Sequence, residues 1–399
     1  MCWMAESLVV SRSRSLFSYG AFHFIDDGFT DSFYIILPFL AAEFQLSYGQ
    51  IGFMKGVFSG SMSLFQFPMS LLGEKVGEIT VVGFGVLGLA GGFVLLSFAT
   101  SYLALILTFI FAKGIGGGQH GLSSSVLSRV YELSGRRAAM GTYNFAGDLG
   151  KVSLPFILTM LINIWGWRHA VFSLALGGMA VGGFLWWVTS GTRTALPAPQ
   201  PVKIEGAQKG RWGIRHRSGF RYLLAIGILD ISVRNALLTF LPFLLLAKEI
   251  PIGQVGFALT LLFIGGAVGK FACGVLAEWL GIIPMVIGTE ALTALGIFAL
   301  FYFPSGTVWF LLPFVGIVLN GTSSVLYATV AEIIPSASRS RGYGLYYAIT
   351  LGSGAVAPLI FGLITDLQGL SFGIMSAASL ALVTIPLSRK LNLKGHPDS

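Results

Sequence analysis

Residues 37–53, LPFLAAEFQLSYGQIGF, return as residues 241–257, LPFLLLAKEIPIGQVGF, displaced by 204 positions. Leu37-Pro38-Phe39-Leu40 matches Leu241-Pro242-Phe243-Leu244, and Gly49-Gln50-Ile51-Gly52-Phe53 matches Gly253-Gln254-Val255-Gly256-Phe257. The same displacement carries Asp26 to Asp230, Glu74 to Glu278 and Gly77 to Gly281. His120-Gly121-Leu122-Ser123-Ser124 resembles Asn320-Gly321-Thr322-Ser323-Ser324 at an offset of 200, a shift of the size a loop-length difference makes. Similarity of this kind at a fixed offset marks parallel repeats, two halves related by an axis along a membrane normal.

The halves are built for lipid. Hydrophobic residues make up 54% of the 399 and charged residues only 11%, too few to clothe a soluble domain. The 53 Gly and 33 Phe suit closely approaching membrane helices and lipid-facing positions. Apolar stretches long enough to cross about 30 Å of hydrocarbon fall near 17–42, 50–73, 79–99, 103–129, 138–162, 167–190, 220–246, 254–277, 282–303, 307–332, 341–364 and 371–388. The expected fold is therefore all-α and polytopic, with twelve spans as two six-helix bundles, 1–190 and 220–399. The segment 191–219, with Pro197, Pro199, Pro201, Lys203, Lys209, Arg211, Arg215 and Arg217, reads as a cytoplasmic basic linker.

Orientation follows from Lys and Arg, which stay on the cytoplasmic side of short loops. With both termini inside, 18 of the 25 are cytoplasmic, while Arg168 and Lys248 are external. The other five, Lys55, Lys113, Lys151, Arg234 and Lys270, lie within spans. A bacterial inner membrane is the expected location. The start leads straight into an apolar segment, so the first span is expected to be its own signal anchor. The formal charge of +8 lies between the hydrophobic runs instead of on a soluble face, which argues against nucleic acid. Cys2 and Cys273 match no metal spacing, and no cofactor is expected.

Ionisable groups inside a bilayer are a functional hypothesis by default. In the first span His23, Asp27 and Asp31 follow at i, i+4, i+8, with Asp26 one step round. At 100° per residue all four share one arc. Three carboxylates that close do not all ionise comfortably, so proton carriage is expected of His23, Asp26, Asp27 and Asp31. A packing network around Asp26 is the structural alternative. Lys113 and His120 share a face of the fourth span, where Lys113 would attract an anion or hold a carboxylate of another helix. Asp148 with Lys151, and Asp230 with Arg234, stand at i, i+3 and i, i+4, as self-contained pairs or as substrate contacts. Asn320 joins this substrate-binding set as the counterpart of His120. Glu290, in the ninth span, is read as a packing residue.

Two six-helix halves, a basic central loop, Gly73-Glu74-Lys75-Val76-Gly77 after the second span and Gly166-Trp167-Arg168 opening the sixth resemble the major facilitator superfamily over nearly the whole chain. That resemblance implies a gating role for Glu74, Lys75, Gly77, Glu278 and Gly281. Glu78 stands where the family's motif carries a second base. His23-Phe24-Ile25-Asp26-Asp27, with His120 after Gly116-Gly117-Gly118, is similar to the fosmidomycin-resistance branch of efflux proteins, with Gly121 where that branch usually has Pro.

The resemblance implies alternating access in a protein that is no enzyme: proton-coupled efflux of a small organic, possibly anionic, compound by a monomer in the lipid bilayer. No GxxxxGK[ST] loop appears to supply ATP energy, and no HExxH or GxSxG motif points to catalysis. Uptake of a small metabolite, or of a metal held by His23, Asp27, Asp31 and His120, is the alternative within transport. A non-transporting receptor or assembly factor is the alternative outside it.

Overall fold

A computed structural model describes residues 2–131, 135–190, 217–333 and 339–391, and all regular structure among them is helical. The helices are α1 (Cys2–Phe44), α2 (Tyr48–Val76), α3 (Glu78–Ser97), α4 (Tyr102–Gly116), α5 (Gln119–Val130), α6 (Arg136–Ser190), α7 (Arg217–Ala247), α8 (Ile252–Leu280), α9 (Ile282–Tyr302), α10 (Val308–Ile333), α11 (Arg339–Gln368) and α12 (Leu370–Arg389), with one 3₁₀ turn at Ser305–Thr307. Nearly all of the expected linker, 191–216, lies outside the described residues.

The helices do not map one to one on the expected spans. The fourth span divides into α4 and α5 at the Gly116-Gly117-Gly118 run, where three residues without Cβ weaken the helix. The fifth and sixth spans form one helical run, α6, interrupted at Gly166 with φ 73° and ψ 165°. Among the described residues nine helical segments are long and apolar enough to cross a membrane, and one of these, Ala138–Ser190, has 53 residues, enough for two crossings. Neither α1 nor α2 is among the nine. Polar side chains such as His23, Asp26, Asp27 and Asp31 in α1, and Lys55 and Gln66 in α2, dilute their hydropathy.

The chain divides into two compact units, Met1–Gln45 with Val57–Gln200, and Leu46–Gly56 with Pro201–Ser399. The first turns of α2 thus group with the second unit. In the first unit α1 packs chiefly against α6, and α3 against α6 and α4. Gly150 of α6 faces the Phe24 backbone so closely that any Cβ would collide with its carbonyl, and Gly28 of α1 leaves room for Leu154. Phe33, Phe58 and Phe109 stack and cross at 4.6–5.4 Å between ring centres. In the second unit α8 packs on α10 and α7 on α11 and α12. Gly265 and Gly269 lie directly on the backbone of Pro313 and Ile317.

The backbone repeats as the sequence does. Gly77 before α3 has φ 98°, ψ 133°, and Gly281 before α9, 204 residues on, has φ 88°, ψ 158°. Gly166 has a partner that the sequence comparison missed: Gly369 before α12, at φ 87°, ψ 161°. These conformations are strained for any residue with a Cβ, so each half turns on the same two glycines.

Candidate functional site

In the first unit the charges of α1, α4, α5 and α6 converge. Asp26 is fully buried and Asp27 is 5% exposed. Lys113, 1% exposed, reaches both oxygens of Asp26 at 3.4 Å, so it holds a carboxylate of another helix, one of the two roles its position allowed. Asp27 Oδ2 meets His23 Nε2 at 3.1 Å within α1 and Lys151 Nζ of α6 at 3.1 Å. Lys151 also lies 3.6 Å from Asp148, three residues before it. The His120 Nε2 sits 3.5 Å from Asp26 and 3.6 Å from Asp27, bridging the two carboxylates. Half-buried Asp31 adds its charge to the field on Lys151.

His23 is fixed by contacts no spacing rule foretold. Its ring stacks on Tyr143 of α6 at 4.1 Å and 21°, its Nδ1 lies 2.9 Å from the Tyr143 carbonyl, and the His120 ring meets its edge at 5.0 Å. Gly147 opens the space: a Cβ there would come within 2.5–2.7 Å of the His23 ring and Asp27 Oδ2. A pattern of titratable residues reveals neither, since Tyr143 acts through its ring face and Gly147 through having no side chain.

Exposure separates the charges. The side chains of His120 and Lys151 are 35% and 29% exposed, against 1% and 7% for Asp26 and Asp27. Of these four side chains the two reachable ones are basic. Four carboxylates, Asp26, Asp27, Asp31 and Asp148, face two ammonium groups and two imidazoles. The cluster is therefore neutral only when it holds added protons. Ligand atoms of His23, Asp27 and His120 lie within 4.8 Å of one another, a metal-like trio. Lys151 at 3.1 Å from Asp27 Oδ2 sets a fixed positive charge against any cation there, which disfavours the metal reading.

In the second unit Arg234 donates to Asp230 Oδ2 at 3.2 Å, four residues earlier on α7, and to Ser323 Oγ of α10 at 3.2 Å. A narrow crevice is lined here by Arg234, Asp230, Ser323, Tyr327, Tyr346 and Thr350. Asn320 lies elsewhere: its amide donates to the Gly316 carbonyl at 3.2 Å and packs over Gly266 of α8. Ser323, one turn on, is the α10 side chain that meets Arg234.

Of the residues given gating roles, Lys75 and Glu278 are exposed, Gly77 and Gly281 form the left-handed turns, and the Glu74 side chain lies outside the described residues. Glu78 has a cationic partner after all, Arg129 at the end of α5.

Apolar helices long enough to cross a membrane, with ion pairs buried between them, make this a multi-pass membrane protein, and its family makes it a transporter and not an enzyme. The chain belongs to the Major Facilitator Superfamily, whose family profile matches residues 16–312 and 223–394. It is 26% identical to the gentisate transporter of Corynebacterium glutamicum over 94% of this chain and 87% of that one. A bacterial homologue of the human lysosomal transporter Spinster, in an inward-facing and occupied conformation, superposes with a TM-score of 0.73 at 16% identity, covering 95% of this chain and 94% of that one. A point mutant of the nucleoside transporter NupG superposes with a TM-score of 0.72 at 13% identity over 94% of this chain and 98% of that one.

Proposed function

We propose that the chain is a proton-coupled transporter of a small organic anion, an aromatic carboxylate being the class that fits best. The carrying observation is that Lys151, the accessible cation, is already occupied by Asp27 at 3.1 Å. An anion therefore competes with Asp27 for Lys151. Protonating Asp27 or its neighbour His23 removes that competition, and the anion then replaces the charge that the proton cancelled. Breaking a buried pair by removing one partner costs about 3–5 kcal/mol, less where water reaches one side. With that discount to about 1–3 kcal/mol, and at about 1.4 kcal/mol per factor of ten, the two ligands would raise each other's affinity by roughly 5–150-fold. Proton and anion bind together, the logic of a symporter.

The substrate class is supported by the gentisate transporter's similarity over almost the full chain, and by a small pocket that sets Arg234 beside Tyr327 and Tyr346. In this reading twelve spans in two six-helix halves rock around the substrate, with both termini in the cytoplasm of a bacterial cell and the monomer as the working unit. Efflux, implied by the likeness to the fosmidomycin-resistance branch, requires that proton and substrate compete. A cationic or neutral substrate displacing a proton from Asp27 would meet that condition; an anion at Lys151 does not.

The test is uptake of labelled gentisate and other benzoates by proteoliposomes under an imposed pH gradient. Accumulation on the alkaline side, abolished in Asp27→Asn and Lys151→Ala, is expected. Accumulation on the acidic side would establish antiport and efflux. No movement of any acid, with transport of a cation or a neutral compound instead, would overturn the anion reading.

A further inference from the structure

We infer that the rim of the second unit where α7 begins and α12 ends binds an anionic phospholipid, its phosphate held by Arg217, Arg221, Arg389 and Lys390. α7 and α12 pack on each other, and Phe220 of α7 and Leu391 after α12 belong to one buried cluster. Phe220 lies between Arg217 and Arg221, and Leu391 follows Lys390, so the packing of that cluster brings the four cations to one rim. All four are exposed, and none has an ion-pair partner among the described residues. The α8–α9 turn joins the same cluster through Ala277, Ile282 and Ile283. It brings Glu278, the acid among the described side chains at this end, against four positive charges. In the topology proposed above this is the cytoplasmic face, where anionic lipids attract basic side chains.

The ordinary reasons for basic residues do not cover this set. The macrodipole of α12 favours Arg389 and Lys390 at its C-terminal end, but Arg217 and Arg221 stand in the opening turns of α7, where cations are disfavoured. Retention of Lys and Arg on one side of the membrane does not require them to converge. The first unit, built on the same repeat, does not gather them so. Its last helix, α6, has no basic residue in its final turn, and Arg12 near the start of α1 lies 5.8 Å over the ring of Tyr131.

The surface of α12 next to the cations suits acyl chains. From Ser379 to Lys390 the exposed positions are Ser379, Leu382, Val383, Pro386, Arg389 and Lys390, a spacing that lays them along one helix face. Leu382 lies about 10 Å of helix rise from Arg389, beyond the headgroup layer and alongside hydrocarbon. On α7, half-buried Ala225 and Ile228 follow Arg221 at i+4 and i+7. Trp279, 80% exposed at the end of α8, marks the headgroup level where Trp is enriched. A free phosphate would use the cations alone, whereas a phospholipid uses the cations and the apolar stripe together.

The experiment is native mass spectrometry of the detergent-purified protein given equal amounts of phosphatidylglycerol and phosphatidylcholine with matched chains, reading which lipid stays bound. At roughly fivefold per engaged cation, wild type is expected to retain phosphatidylglycerol at least about tenfold over phosphatidylcholine. Arg389→Gln with Lys390→Gln, and Arg217→Gln with Arg221→Gln, should each cut that preference by about fivefold or more, and all four together should abolish it. Lys75→Gln, at an exposed cation outside the second unit, should leave it unchanged. Because these positions are exposed, the variants should melt as wild type does in phosphatidylcholine nanodiscs. Phosphatidylglycerol nanodiscs should raise the melting temperature of wild type and not of the variant with all four changes. Equal retention of the two lipids by wild type, or a preference that survives all four substitutions, overturns the site. Displacement of the lipid by millimolar inorganic phosphate also overturns it and assigns the cations to a soluble anion. Neither measurement needs a substrate, so the lipid site stands or falls separately from gentisate accumulation, which tests the proposed function.

Discussion

Lys151 of α6 holds Asp27 of α1 at 3.1 Å through the same carboxylate oxygen that faces His23 at 3.1 Å. One atom thus joins a fixed cation to an imidazole. Asp27→Asn strips Lys151 of its main partner, leaving Asp148 at 3.6 Å. The expected result is anion binding that no longer changes with pH, with accumulation against a gradient lost by at least tenfold. Because Lys151 is 29% exposed, the stability loss should fall below the full buried-pair figure, at about 1–3 kcal/mol. Ligand-dependent thermal shift across pH, read beside proteoliposome uptake, checks both. A binding curve that keeps its pH dependence in Asp27→Asn would place the coupling proton elsewhere.

Gly147 is the tightest point of the site. A methyl group there would stand 2.5 Å from His23 Cε1 and 2.7 Å from Asp27 Oδ2. The His23 ring has no free direction to yield, being stacked on Tyr143 and bonded to its carbonyl. Gly147→Ala should therefore fold with a stability loss of about 1–3 kcal/mol from overpacking, yet lose transport almost entirely. Gly141→Ala, where a Cβ meets nothing within 4 Å, is the control and should behave as wild type. Equal transport by the two variants would show that the His23 position is not needed.

What could be read from the sequence divides along physical lines. Pairs inside one helix follow from spacing, so the contacts of His23 with Asp27, Asp148 with Lys151 and Asp230 with Arg234 were legible. Partners on different helices were not, because periodicity gives the face of a helix and not its neighbour. Lys113 could have met a carboxylate of the first or fifth span, and the structure chooses Asp26. The turn glycines were half legible. Gly77 and Gly281 lie in conspicuous repeats, whereas Gly166 and Gly369 match only in φ and ψ.

Glu78 and Arg129 offer a test by exchange. The acid opens α3 where the family's motif favours a base, and Arg129 at the end of α5 pairs with it. Their side chains are 17% and 27% exposed, so removing either should cost about 1 kcal/mol, or about 2–4 °C in melting temperature. Arg129→Glu alone sets two acids together and should lower both melting temperature and transport. Glu78→Arg combined with Arg129→Glu should restore most of each. Failure of the double exchange to recover melting temperature would mean that Arg129 acts through something other than its charge pairing.

Glu43, just beyond the first expected span, gives a pH dependence whose sign can be worked out. Arg168 donates to it from Nε at 3.1 Å and Trp167 from its indole at 2.8 Å, and the Arg168 hydrogen bonds hold its carboxyl below the ordinary value of 4.5. Arg168 also binds the carbonyls of Ser97 and Ala99 at 2.7 Å, so the carboxylate ties the end of α1 to the α3–α4 turn through a shared guanidinium. A depressed folded-state value means that the ionised form stabilises the fold. That contribution is complete above the unfolded-state value and disappears as the pH falls through the lower, folded-state one. With the Glu43 side chain 40% exposed, screening limits it to about 1 kcal/mol. Melting temperature measured from pH 7 down to about pH 3 should therefore drop further in wild type than in Glu43→Gln, with the two curves converging at the acid end. Parallel curves would show that the acid-sensitive group of this turn is not Glu43.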